Sequence, residues 1–153
     1  MPRNERTSGK SVRAEAVRQE FHAALPSRPR QRGFWAGAAV QKGIDELHGV
    51  LEEGERVEMA SVGTIDSRGV LIVGSDRRLI VFDRGYGRRA FYDYAYVDVD
   101  RVEWRKGLHT GEIAVVPRSG IGVRIKNVPG GHVKPLGQWL TRRSADAHAA
   151  DPR

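Results

Sequence analysis

The chain has 153 residues, about one domain's worth, with 39% hydrophobic and 29% charged residues. That balance implies a compact core of about 100 residues carrying solvated extensions. The absence of cysteine excludes disulfide frameworks, thiolate zinc sites and cysteine nucleophiles. No apolar run approaches the ~18–20 residues that cross a bilayer. Met1 to Gly9 is polar with no apolar signal segment behind it, so the expected location is the cytoplasm.

The net charge of +7 is unevenly placed. Residues 1–32 carry eight basic and three acidic side chains, whereas residues 33–128 carry fourteen of each. The basic character therefore belongs to the ends, which argues against a folded surface built to hold a polyanion. Arginine outnumbers lysine by 21 to 5, a bias that suits planar, bidentate contacts with anions.

In chain order, Ser11 can cap a short helix through Leu25, with Val12, Ala16, Val17, Phe21 and Leu25 roughly on one face. Pro26 to Gly33 reads as a linker, and residues 1–33 as a basic, partly disordered extension. A second helix fits Trp35 to Val50, since Val40, Ile44, Leu47 and Leu51 follow a helical stripe. From Glu55 the period changes to two. Seven short strands are predicted: Arg56–Ile65, Val70–Gly74, Arg78–Phe82, Ala90–Tyr96, Asp98–Arg105, Glu112–Pro117 and Ile121–Val128. Their spacing and hairpin-length loops are those of an antiparallel barrel or sandwich. Helical period returns over Gly131–Arg143, where Val133, Leu136 and Leu140 can plug the barrel's open corner. Residues 144–153 are expected to fray.

Seven antiparallel strands closed by one amphipathic helix resemble the pleckstrin-homology (PH) superfold. In its residues the chain is similar to the bacterial, YokE-like branch of PH domains. The resemblance is carried by Leu51-Glu52-Glu53-Gly54-Glu55-Arg56-Val57 and by Gly69 to Asp83, with Ser75-Asp76-Arg77-Arg78 between two apolar strands. Tyr94, Val102 to Gly107 and Ile125 to Pro129 complete it, over about residues 50–143. It implies a mainly β fold with a leading helix and PH-like domain at 34–143 (core 52–143). It supplies no chemistry.

Candidate sites are few. Gly85-x-Gly87-x-x-Ala90 mimics a dinucleotide fingerprint, but an aromatic strand follows where a helix N-terminus is required. The same loop is the best binding candidate, with Arg84, Arg88 and Arg89 flanking Tyr86. In eukaryotic PH domains, lipid head groups sit between the loops after the first and third strands, which here would add Arg68. The family's lipid pattern also asks for a lysine late in the first strand, where this chain has Val62 to Ile65 and then Asp66.

Asp76 reads as a turn aspartate bonding its own backbone. The five histidines show no ligand spacing, and no nucleophile or acid pair marks a catalytic centre. Asp98 and Asp100 alternate with valines as on a solvent-facing edge. Trp35, Trp104 and Trp139 read as packing residues, the alternative being a protein-binding surface anchored by an exposed Trp35 and Phe34. The expected function is a non-catalytic scaffold or binding module without cofactors. Its expected partner is a protein or peptide, held near the Gly111–Asn127 hairpin beside Val133–Leu140. The alternative is an adaptor for anionic lipid or nucleic acid, using the basic loop and arm.

Overall fold

The computed structural model describes residues 3–27, 38–83 and 91–151. Helix α1 (Arg3–Ala23) and helix α2 (Ala38–Glu46), which runs into a 3-10 turn at Leu47–Gly49, precede the strands. These are β1 (Val57–Ile65), β2 (Arg68–Ser75), β3 (Arg78–Phe82), β4 (Phe91–Ala95), β5 (Val99–Lys106), β6 (Thr110–Pro117) and β7 (Val123–Pro129). Helix α3 (Gly130–Ala150) closes the fold. The strands make one antiparallel sheet in the order β4-β3-β2-β1-β7-β6-β5, curled into a half-barrel.

The curl turns on β1, where Thr64 pairs with Lys126 and accepts a 2.9 Å hydrogen bond at Oγ1 from Asn127 Nδ2. Gly63 permits this approach. A Cβ there would lie 2.8 Å from the Lys126 carbonyl and 2.4 Å from the Ile125 side chain.

Apolar residues of β2 and β3 are consecutive rather than alternating, and both faces of these strands are covered. Inward, Val70, Ile72, Leu79, Val81 and Tyr94 pack with Val133, Leu136 and Leu140 of α3. Outward, Leu71, Val73, Ile80 and Phe82 pack beneath Val17 and Phe21 of α1 and Val40, Ile44 and Leu47 of α2.

Part of the stretch read from sequence as an extension, from Arg13 to Leu25, thus belongs to the packing. Ala60 donates its N–H to the Ala24 carbonyl at 3.1 Å. Arg13 reaches the Glu52 carbonyl at 3.0 Å, and Arg18 pairs with Asp45 at 2.8 Å. Val12, expected on the buried face, is instead 67% exposed. The Arg28–Gly33 linker and Trp35 lie outside the described residues.

The expected tail after Arg143 is likewise corrected, because α3 continues seven residues further to Ala150. Ser144 Oγ donates to the Val99 carbonyl at 2.9 Å, Ala147 packs on the inner core, and His148 Nε2 meets the Val97 carbonyl at 3.1 Å. These contacts hold the last two turns onto the entry of β5.

Glu55 ties the segment before β1 to the β2–β3 turn. Its side chain is buried and accepts two 3.0 Å bonds from Arg78, one from Ser75 Oγ and one of 2.9 Å from the Glu52 N–H. Arg78 also donates to Asp93 at 2.6 Å and to the Val50 carbonyl at 3.1 Å. Ser75 Oγ accepts from the N–H groups of Arg77 and Arg78, so the serine makes the turn bonds expected of Asp76. Asp76 instead accepts from the Arg56 N–H at 2.9 Å, pinning the start of β1. Burial opposes ionisation of Glu55, yet the bonds from Arg78, Ser75 and the backbone outweigh it and hold the carboxyl below its ordinary 4.5.

Two expectations follow. Phe21 is fully buried, so Phe21→Ala should lower stability by about 3–5 kcal/mol in urea titrations monitored by circular dichroism. An unchanged midpoint would mean α1 is no part of the folded unit. Glu55→Gln should cost about 3 kcal/mol, the low end for a broken buried pair, since Arg78 keeps Asp93. Because the folded carboxyl titrates below 4.5, its contribution is present above that pH and lost as pH falls through the lower folded value. Acid titration of stability should therefore be shallower in Glu55→Gln than in wild type.

Candidate binding site

Of the predicted basic constellation, Arg68 is described and Arg84, Tyr86, Arg88 and Arg89 lie outside the described residues. Arg68 opens β2, and its guanidinium stands 3.8 Å from the buried carboxylate of Asp83, just after β3. An adjacent carboxylate competes with any phosphate for that guanidinium. The β1–β2 turn is closed by Asp66 and Ser67 at φ 49° and 65°, the left-handed pair of a tight hairpin. It brings an acid, not a lysine, to this end of the barrel.

The other polar pair of note is Ser61 and His132, which the sequence spacing could not reveal. His132 Nδ1 lies 2.9 Å from Ser61 Oγ, and Nε2 lies 2.9 Å from the Ser27 carbonyl. A carbonyl only accepts, so Nε2 carries the proton and Ser61 donates to Nδ1. Burial lowers the His132 pKa and outweighs the opposing Ser27 bond, which keeps the ring neutral in this role. Both side chains are shut from solvent. The pair joins β1, α3 and the exit of α1. Among the described residues, no group of three or more His, Asp or Glu is placed to hold a metal ion.

Of the two strands that end the sheet, β4 and β5, β5 presents the longer exposed run, at residues 103–106. It ends the sheet, paired with β6 on one side and, among the described residues, with no strand on the other. The Gly111–Asn127 hairpin is formed by β6 and β7; β6 is paired on both sides, and the strand that ends the sheet beside α3 is β5. Gly107 donates its N–H to Thr110 at 2.8 Å, so these two residues form a hydrogen-bonded pair. Alternation along the regular register then directs Glu103 and Arg105 to β6, and turns the N–H and C=O groups of Val102, Trp104 and Lys106 to the open edge.

Trp104 lies inward against α3, where Gly137 makes room for it. A Cβ at Gly137 would come within 2.5 Å of the indole. The ring stays 38% exposed, because no further strand covers its far side.

On the outer face a ladder of charges crosses the strands. Arg124 pairs with Glu112 at 3.0 Å, Glu112 with Arg105 at 2.9 Å, and Arg101 with Glu103 at 2.8 Å. Glu103, Arg105, Glu112, Ala114 and Arg124 rim an open hollow of about 270 Å³. Hydrogen bonding from Arg124 leads, against desolvation and with the charges of Arg105, Arg124 and Lys126, in holding the Glu112 carboxyl below its ordinary range. Asp98 and Asp100 are exposed at the start of this edge, as their alternation with valine predicts.

Residues 51–141 match the family model described as Bacterial PH domain. A PH domain of known crystal structure from Shewanella amazonensis SB2B shares 17% identity, with a TM-score of 0.51 over 68% of this chain and 96% of that one. A DUF1696-family protein with a PH domain from Shewanella loihica PV-4 is 16% identical, with a TM-score of 0.43 over 73% of this chain and 99% of its own. No curated protein matches. The family match does not separate out a YokE-like branch, and it includes neither α1 nor α2. It spans the strands and most of α3, including Glu55, Ser75, Arg78 and the β5 edge, and the chain belongs to the bacterial PH domain family.

Proposed function

We propose that the protein is a non-catalytic binding module that takes an extended protein segment as an added strand along β5. PH-like folds serve in general as binding modules rather than enzymes. The observation that carries the reading is the open edge at Val102, Trp104 and Lys106, beside a half-exposed tryptophan and the flank of α3. An added strand satisfies the outward backbone groups in register, and its alternate side chains meet Trp104 on one face and the charge ladder on the other. Basic residues of α1 that could serve a nucleic acid, Arg13 and Arg18, are engaged within the chain.

The test is a displayed library of random peptides, followed by hydrogen exchange on the complex. Selected peptides should slow exchange at the Val102, Trp104 and Lys106 amides and leave Glu103 and Arg105 little changed. Lys106→Pro, tolerated on an edge strand, should weaken binding about tenfold by removing one docking N–H, with little change in melting temperature. Peptides that bind without altering β5 exchange would overturn the reading. Vesicles of anionic lipid serve as the comparison arm, and binding confined to them would reject it as well.

A further inference from the structure

We propose that the strand received at this edge is β5 of a second copy of the chain, forming a two-fold symmetric dimer. The inference rests on the strand-addition reading above and names its partner. It follows from the pattern Arg101-Val102-Glu103-Trp104-Arg105-Lys106, which complements itself when run antiparallel about Trp104.

Centred there, the outward amides and carbonyls of Val102, Trp104 and Lys106 meet those of the partner's Lys106, Trp104 and Val102. Every open backbone group of this stretch then gains a partner. Trp104 stacks beside the partner's Trp104 on the inner face, removing exposed indole surface from water. On the outer face Glu103 stands opposite the partner's Arg105, and Arg105 opposite the partner's Glu103. These are non-hydrogen-bonded positions, where cross-strand side chains lie closest. The ladder Arg124–Glu112–Arg105 continues into the partner's Glu103 and Arg101 with strict alternation of sign.

Other registers fail on this surface. Centring on Glu103 sets glutamate against glutamate and arginine against arginine, and centring on Arg105 opposes two arginines. Centring on Val102 restores an arginine–glutamate match but runs into the bulge between Val99 and Arg101. There Ser144 and His148 already bind the Val99 and Val97 carbonyls. The straight, exposed half of β5 admits the Trp104 centre alone. A contact of one strand pair lies at the small end of interfaces, so the dimer is concentration-dependent and weakens with added salt.

Sedimentation of the full chain, from low micromolar to near-millimolar, reads the dimer directly. Glu103→Arg and Arg105→Glu should each weaken self-association at least tenfold. An equimolar mixture of the two variants should form a heterodimer, because arginines 103 and 105 of one then face glutamates 105 and 103 of the other. Both are exposed surface changes, and melting temperatures check that each variant is folded.

A wild type that stays monomeric throughout the range overturns the proposal, as does a dimer insensitive to both variants. A dimer lost in Glu103→Arg but kept in Arg105→Glu also overturns it, because that outcome belongs to the Val102 centre. If the chain is monomeric yet library peptides protect the β5 amides, self-pairing fails while strand addition stands. If neither occurs, both fail.

Discussion

The architecture depends on one constraint: β2 and β3 are apolar on both faces, so the half-sheet they build must be covered twice. Alternation would have let one face meet water. Leu71, Val73, Ile80 and Phe82 forbid that, and the residues before the family-matched region supply the second layer through α1 and α2. The inner layer falls to α3, as a half-barrel with one open corner requires. By contrast, among the described residues β5 to β7 have only an inner cover. Polar side chains occupy their outer face, and β5 ends this half of the sheet as β4 ends the other.

Holding two covers on one sheet requires that the chain enter β1 at a fixed place, and Glu55 does this. Its carboxylate sits where the segment after α2, the β2–β3 turn and β4 converge, through Val50, Ser75, Arg78 and Asp93. A buried carboxylate is unfavourable alone. Here a bidentate guanidinium, a hydroxyl and a backbone N–H replace its lost water, so its removal would leave Arg78 underpartnered rather than relieve strain. The tyrosine of the following 3-10 turn completes the cluster, its hydroxyl reaching the carbonyls of Ser75 and Arg78. The residues that carry the family resemblance most specifically are therefore structural, and they say how the barrel is fastened rather than what it binds.

The strand count, the order of elements and the closing helix were legible in the sequence because period-two and helical patterns switch at clear turns. What sequence reading lost has physical reasons. The short apolar stripe of α1, Val17 and Phe21 among polar neighbours, looks too thin to dock, and its partner surface is visible only once β2 and β3 are seen to need an outer cover. Residues after Arg143 carry alanines and a serine with no apolar stripe, so their attachment through Ser144 and His148 to backbone carbonyls leaves no hydropathy signal. Ser61 and His132 meet across 71 positions of sequence, beyond any spacing rule. Which strand ends the sheet was likewise hidden, since pairing partners, unlike periods, depend on the closure of the barrel at Thr64 and Lys126.

An open edge is a hazard as much as a site, and charge is the usual protection against indiscriminate pairing. On β5 that protection takes a selective form. Arginine, glutamate and arginine at alternate outward positions repel any strand that presents the wrong sign, including this same strand shifted by one residue to either side of the Trp104 centre. Of the alignments that escape the repulsion, the Val102 centre meets the bulge between Val99 and Arg101, and the Trp104 centre would also bring the tryptophans together. Specificity here is a difference between registers more than a strong attraction in any of them, since each exposed ion pair contributes at most about 1 kcal/mol. On the proposed reading, the few residues that guard the edge against indiscriminate pairing would be the same ones that choose what it accepts.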